Sequence, residues 1–343
     1  MERKNYIDLP FKSIIEKYDY YFEGKIDFVL YDRQKYSLRL CKMALLKNDR
    51  IATIEEFKSE IIIWDIKTKK KYLELVGHKG EIRTIKVLKD NRIVSLGTDG
   101  LIKIWNSDTG QCEHTLQGNK FINPLIISED NRIISSDCVN TIKIWNTYTQ
   151  KCELVILNYN NKITSILNIG NKLILDFNYQ EVKIYDITSG KHLHTLTNIS
   201  STETTRKFDN NTIMRGLNDR NLIIWNITTG ESTILIKNIK RQMSSYLILP
   251  NENMITCDYS IKIWKKDELQ FTLLGHTGIV TILNMLPDGR LMSISVDLTI
   301  KVWNLDTQKC ELTFKNDSRI TYMENLSDGR IVTRDDSRII VWK

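Results

Sequence analysis

This sequence predicts an all-β fold of eight four-stranded blades, a β-propeller, and three observations carry the prediction. The first is a phrase that recurs at fixed spacing. It reads Ile61-Ile62-Ile63-Trp64-Asp65, Ile102-Lys103-Ile104-Trp105-Asn106 and Ile142-Lys143-Ile144-Trp145-Asn146, then Val182-Lys183-Ile184-Tyr185-Asp186 and Leu222-Ile223-Ile224-Trp225-Asn226. Ile261-Lys262-Ile263-Trp264, Ile300-Lys301-Val302-Trp303-Asn304 and Ile339-Ile340-Val341-Trp342 complete it. Its aromatic falls at 64, 105, 145, 185, 225, 264, 303 and 342, at intervals of 41, 40, 40, 40, 39, 39 and 39. A constant period near forty marks a repeat architecture. The second observation is that all seven Trp of the chain sit in this register, with Tyr185 at the remaining place. The third is that each period holds four short apolar runs between turn residues, without helical periodicity.

Residues 1–24 stand outside the repeat and form the first predicted segment. Leu9-Pro10-Phe11 opens a stretch with apolar residues at 11, 14, 15 and 18, the spacing of a short amphipathic helix over 9–18 with Pro10 in its first turn. From Lys25 the pattern changes to strands, and 25–31 reads as a lone strand ahead of the first full repeat. The second repeat shows the unit most clearly: Ile82 to Leu88, Arg92 to Leu96, Leu101 to Trp105, and Gln111 to Leu116. Its first hairpin turns through Asp90-Asn91-Arg92, a phrase echoed at 130–132, 288–290 and 328–330 as Asp-Asn-Arg or Asp-Gly-Arg. Asn and Gly supply the positive-φ positions of tight hairpins. The third hairpin reads Asn106-Ser107-Asp108-Thr109-Gly110, where Asn and Thr side chains can bond their own backbone. Ile102 and Ile104 point to one face of the third strand, Lys103 and Trp105 to the other. Both faces are apolar enough to pack between neighbouring blades, with the Lys ammonium reaching solvent.

The totals narrow the classes of function. The chain has 343 residues, 41% of them hydrophobic and 9% aromatic, enough for a sizeable core. The net charge is +7, from 49 basic and 42 acidic residues intermingled without a run of five like charges. That is a mildly basic surface, and no nucleic-acid partner is expected. No stretch approaches eighteen apolar residues, and no membrane partner is expected. Six Cys lie at 41, 112, 138, 152, 257 and 310. Three share one phrase, Gln111-Cys112-Glu113, Lys151-Cys152-Glu153 and Lys309-Cys310-Glu311, and repeats hold such positions apart. Reduced structural thiols in a cytoplasmic protein are therefore expected. His78, His114, His192, His194 and His276 are the only histidines. His192 and His194 share a strand face but lack a third ligand, so neither metal nor cofactor is expected. No phosphate loop, nucleophile elbow or His-Glu-x-x-His phrase is present.

The repeats resemble the WD40 family, in which Trp-Asp closes a strand about thirty residues after Gly-His. The resemblance covers 25–343 and implies an eight-bladed WD40 propeller, with 1–24 as a short helical extension. In that family a His, a strand Ser or Thr, a turn Asp and the Trp form a hydrogen-bonded structural set. Two repeats match fully: His78, Ser95, Asp99, Trp105 and His276, Ser293, Asp297, Trp303. Others depart from it. Asn119 replaces the His and Val139 the Asp of the third repeat, and Tyr185 replaces a Trp. The repeat ending at Trp342 lacks an outer strand, and the strand at 25–31 is of one kind with the missing piece. The resemblance thus implies a ring closed by the N-terminal strand, an exchange that also removes two open sheet edges.

The implied function is a non-catalytic interaction scaffold, monomeric within a larger complex, since loops on a rigid frame are where function sits. In the family, residues flanking the first apolar position of each innermost strand project from one rim. Carried over, these are Arg39, Glu81, Arg83, Phe121, Asn123, Lys162 and Thr164, then Gln242, Ser244, Ile279, Thr281, Arg319 and Thr321. Arginines outnumber Glu81 and Phe121 offers an aromatic anchor, which favours a protein or peptide partner of some acidic character. Two other readings stand beside this one. Leu9-Pro10 and its helix resemble the opening of an F-box, which would make the chain a substrate-recognition adaptor of a ubiquitin ligase with 1–24 as docking arm. An enzyme using the central channel would need clustered carboxylates or His on the innermost strands, and no such pattern repeats.

Overall fold

The computed structural model describes residues 22–32, 40–118, 125–136, 141–157, 163–177, 181–196, 205–216, 221–236, 245–249, 253–265, 267–335 and 337–343. The helix expected over 9–18 lies outside them, and the described residues contain no helix. They form eight four-stranded antiparallel sheets, an eight-bladed β-propeller. Blades 1 to 5 run over 40–76, 82–117, 125–157, 163–196 and 206–236. Blades 6 and 7 run over 245–273 and 280–315, and blade 8 joins 322–342 to the N-terminal strand Ile26–Asp32. Two compact units result, one of 40–240 and one that combines 1–39 with 241–343.

In the unit of blades 1 to 5, apolar residues on both faces of each blade fill the layers between neighbours. Ala52, Ile54 and Ile63 of blade 1 pack with Ile82, Ile85, Ile93 and Trp105 of blade 2. Val94, Ile102 and Ile104 of blade 2 pack in turn with Ile133 and Trp145 of blade 3. Each Trp here faces the blade before it. The first hairpins link the same blades by hydrogen bonds. Asn91 and Asn131 take the left-handed position at φ 74° and 69°, and their side-chain oxygens accept N–H bonds from Lys47 and Lys89 of the preceding blades at 2.7 and 2.9 Å. Asparagine therefore does two jobs here, one of them beyond glycine's reach.

The strand that the sequence places at 25–31 is Ile26–Asp32, antiparallel to Arg338–Trp342. It reproduces a fourth strand in detail. In blades 2, 3 and 7 a Cys pairs with the Trp, and the next residue, Glu113, Glu153 or Glu311, meets the Arg of the first hairpin, at 3.6, 3.7 and 3.1 Å. In blade 8 Ile26 pairs with Trp342, and the next residue, Asp27, meets Arg330 at 2.8 Å. Gly24 at φ 76° stands where Gly110 stands at φ 77°. Phe22 is fully buried. Its N–H bonds Asp288 at 3.1 Å and its carbonyl accepts from Arg290 at 2.6 Å, as the carbonyl of Thr147 accepts from Arg92 at 3.4 Å.

Lys103 departs from the expected solvated face. It is buried, with its ammonium 3.0 Å from the Thr115 hydroxyl and 6.0 Å from the centre of the Trp105 ring. The strand after it covers the stem, so the charge is held by a hydroxyl and an aromatic face instead of water.

Candidate functional site

In blade 2 the His78 ring is clamped between two partners. Its Nδ1 lies 2.9 Å from the Asp99 carboxylate and its Nε2 lies 2.7 Å from Ser95 Oγ. A carboxylate only accepts, so Nδ1 carries the proton and Nε2 accepts from the Ser95 hydroxyl. The indole N–H of Trp105 then donates to Ser95 Oγ at 2.7 Å. The His78, Ser95 and Trp105 side chains are thus all satisfied by donors running in one direction, with His78 neutral. Blade 7 repeats the arrangement: His276 to Asp297 at 3.0 Å, His276 to Ser293 at 2.8 Å, Trp303 to Ser293 at 2.8 Å. Gly77 and Gly275 precede the two histidines because a Cβ there would come within 3.1 and 3.3 Å of the Trp105 and Trp303 rings.

The electrostatics follow from this geometry. Burial holds both imidazoles below the ordinary histidine range, against the pull of Asp99 and Asp297. Burial alone would raise the two carboxyls, but hydrogen bonds hold Asp99 below the usual range and Asp297 well below it. For Asp297 these come from Thr299, the Thr277 N–H and His276. The turns between second and third strands are thus fixed by buried charge-assisted bonds.

Other blades keep part of the set. The indole N–H of Trp64, Trp145, Trp264 and Trp342 reaches Thr53, Ser135, Thr256 and Thr333 at 2.8 to 3.0 Å. Asn119 and Val139 lie outside the described residues. Blade 8 holds a substitute set that motif reading missed. Asn316 replaces the His and donates to buried Asp335 at 3.1 Å, while Arg338 bridges the Asn316 oxygen and the same carboxylate, each at 3.1 Å. The signal was in the spacing, because Asn316 precedes Thr333 by the interval that separates His78 from Ser95. Blades 4 and 5 diverge most. Leu175 and Arg215 occupy the serine position, and Arg215 forms an ion pair with Asp176 of blade 4 at 2.9 Å, both side chains almost wholly buried. Asp176 also accepts the Thr205 N–H at 2.8 Å.

Beyond these sets lie the residues expected at the rim. Arg39, Phe121, Asn123, Lys162, Gln242 and Ser244 lie outside the described residues. In the unit of blades 1 to 5, Arg83 is exposed and touches Glu81 at 3.4 Å. Thr164 turns its hydroxyl onto the Asp176 carbonyl at 3.1 Å. In the other unit Ile279, Arg319 and Thr321 are exposed, whereas Thr281 is half-buried. Thr321 accepts from Arg334 at 2.8 Å. Among the described residues Arg319 has no hydrogen-bond or ion-pair partner.

The remaining polar candidates separate. His192 lies edge-on to Tyr185 and meets Thr195 at 2.8 Å, while His194 donates to the Thr228 carbonyl at 2.7 Å. No group of three metal-ligating side chains converges among the described residues. Cys112, Cys152 and Cys310 are free and exposed, and Cys257 is buried with its thiol on the Ser245 and Val280 carbonyls at 3.3 and 3.4 Å.

Eight blades, seven built on a repeated Trp and two with the full His-Ser-Asp-Trp set, define a WD-type propeller. The family model described as WD domain, G-beta repeat matches residues 69–106 and 267–304, the stretches that end one residue past Trp105 and Trp303. The chain thus carries WD40 repeats at those two places within an eight-bladed propeller. Comparison with the curated proteins gives no match. Among solved structures, the computationally designed Ika8 protein is similar, with a TM-score of 0.75 and 24% identity over 93% of this chain and 99% of that one. At that identity the likeness shows the fold alone.

Proposed function

We propose that this propeller is a non-catalytic scaffold of the cytoplasm that presents rim residues to a protein or peptide of acidic character. WD40 propellers generally act as scaffolds and bind proteins or peptides, and the fold is consistent with that role. The observation that carries the reading is the contrast between the buried tetrads and the side chains just beyond them. The tetrads repeat nearly atom for atom in blades 2 and 7, so the frame is rigid. The residues beside them, Glu81 and Arg83 or Ile279 and Thr281, do not repeat, and of these Arg83 and Ile279 are exposed. Rigid frames with variable exposed residues suit recognition. Exposed Arg83 and unpaired Arg319 favour carboxylates on the partner, and free surface thiols accord with a reducing compartment.

The test is affinity capture from a cell extract with wild type, Arg83→Glu with Phe121→Ala, and Arg319→Glu. Partner recovery should fall on the rim variants while urea melting stays within about 1 kcal/mol of wild type, as for surface changes generally. Variants that retain every partner would place the binding surface elsewhere.

A further inference from the structure

Blades 2 and 7 act as an internal control for what the fold itself requires. Their tetrads coincide, and the bond from Thr98 N–H to Glu81 O at 2.8 Å is matched by Val296 N–H to Ile279 O at 2.9 Å. Their turns place Gly100 at φ 79° and Leu298 at φ 66°. The backbone is the same, but the side chains beyond the tetrads differ in kind. Blade 2 carries Glu81, Thr98 and Gly100 where blade 7 carries Ile279, Val296 and Leu298. Ile279 and Val296 are 36% and 39% exposed. Blade 2 shows that polar residues satisfy these positions. Blade 7 instead exposes apolar surface and holds a branched side chain in the left-handed region that such residues avoid. Blade 2 builds the same backbone without either feature, and strain beside exposed apolar surface is a mark of binding.

The flanks say what would bind. Asp258 O accepts the Val280 N–H at 2.7 Å, so the turn that carries Tyr259, 43% exposed, adjoins the strand start next to Ile279. On the other side Leu298 O accepts the Asn316 N–H at 2.8 Å, and Asn316 bonds the Ser318 carbonyl at 2.7 Å, which leads to Arg319. The nearby carboxylates are engaged: Asp258 by Lys262, Asp297 by His276 and Thr299, Asp317 and Asp335 by Arg338. Arg319 is therefore an exposed, uncompensated charge on the segment that adjoins the Leu298 turn.

We infer that the blade 7 rim anchors an extended peptide of a partner protein, one with an apolar residue close in sequence to a carboxylate. The apolar side chain lies over Ile279, Val296, Leu298 and Tyr259, and the carboxylate takes the Arg319 fork. The inference rests on the scaffold reading above and specifies its partner.

The experiment is a peptide-display selection on the full chain, followed by binding of the recovered synthetic peptides to variants. One variant copies blade 2 onto blade 7, Ile279→Glu with Val296→Thr and Leu298→Gly, a set whose compatibility with the backbone blade 2 already demonstrates. The other is Arg319→Glu. Recovered peptides should carry the apolar-acidic pair and bind each variant roughly tenfold more weakly or worse, the scale of hot-spot losses. Changing the peptide carboxylate to its amide should weaken binding to wild type but not to Arg319→Glu. Unchanged urea midpoints would confirm that both variants fold. Peptides that bind both variants as wild type overturn the inference; if they are lost on Arg83→Glu instead, the scaffold reading survives. A selection that recovers no peptide counts against both.

Discussion

At residue scale the tetrads concentrate stability in a few side chains. Trp105 and Trp303 are almost wholly buried and each donates to a serine, whereas Tyr185 sits where Leu175 replaces that serine. Trp105→Ala or Trp303→Ala should cost about 3–5 kcal/mol, the range for emptying a large aromatic site. Tyr185→Ala should cost less, and urea melts of the three variants check the order. The histidines make a second prediction. Because burial lowers the folded-state pKa of His78 and His276 below the ordinary 6.5, the unfolded chain takes up protons first as pH falls. Stability contributed by the neutral rings is intact above about pH 6.5 and drains away below it. The urea midpoint should therefore drop between pH 7.5 and 5.5. The slope of that drop, not the midpoint itself, should flatten in His78→Gln with His276→Gln. An unchanged slope would show that the buried rings do not titrate in this window.

At element scale the N-terminal strand works because it carries the side chains a fourth strand needs. Asp27 supplies Arg330 with the carboxylate that Glu113 supplies to Arg92, and Phe22 gives buried Arg290 a carbonyl and fills a gap beside Phe314. The exchange was legible from counting strands, but the Asp27 and Phe22 contacts were not. They join residues some three hundred positions apart, and only the register of Ile26 opposite Trp342 reveals the equivalence. Two truncations separate the contributions. Removing 1–24 should strand the Arg290 guanidinium without its carbonyl partner and lower the melting midpoint while leaving a monomer. Removing 1–31 should also bare the Arg338–Trp342 edge, and an exposed edge invites pairing between molecules. Light scattering should then show aggregation for the longer deletion alone. Equal behaviour of the two would mean that the strand contributes nothing beyond Phe22.

At the scale of the whole molecule, the period near forty and its single aromatic made the architecture readable, because each blade must repeat the same packing against its neighbours. What stayed hidden is where one blade departs from the rule in a way that only its neighbour explains. Arg215 in Thr212–Gly216 and Asp176 in Lys172–Phe177 each read as a lone charge inside an apolar strand, and neither sequence stretch names the other. Folded, they are a buried ion pair that joins blades 4 and 5 where the serine bond is absent. Removing one partner leaves an uncompensated buried charge, so Arg215→Met should cost about 3–5 kcal/mol, whereas Arg215→Met with Asp176→Leu should recover much of that loss. Repeat proteins transmit damage mainly to nearest neighbours. Native-state hydrogen exchange should therefore quicken in Lys172–Phe177 and Thr212–Gly216 of the single variant. The strand Ile93–Gly97, held by the intact blade 2 tetrad, should keep its protection. If protection falls by the same factor in every blade, the molecule opens as one unit and the pair is no local staple.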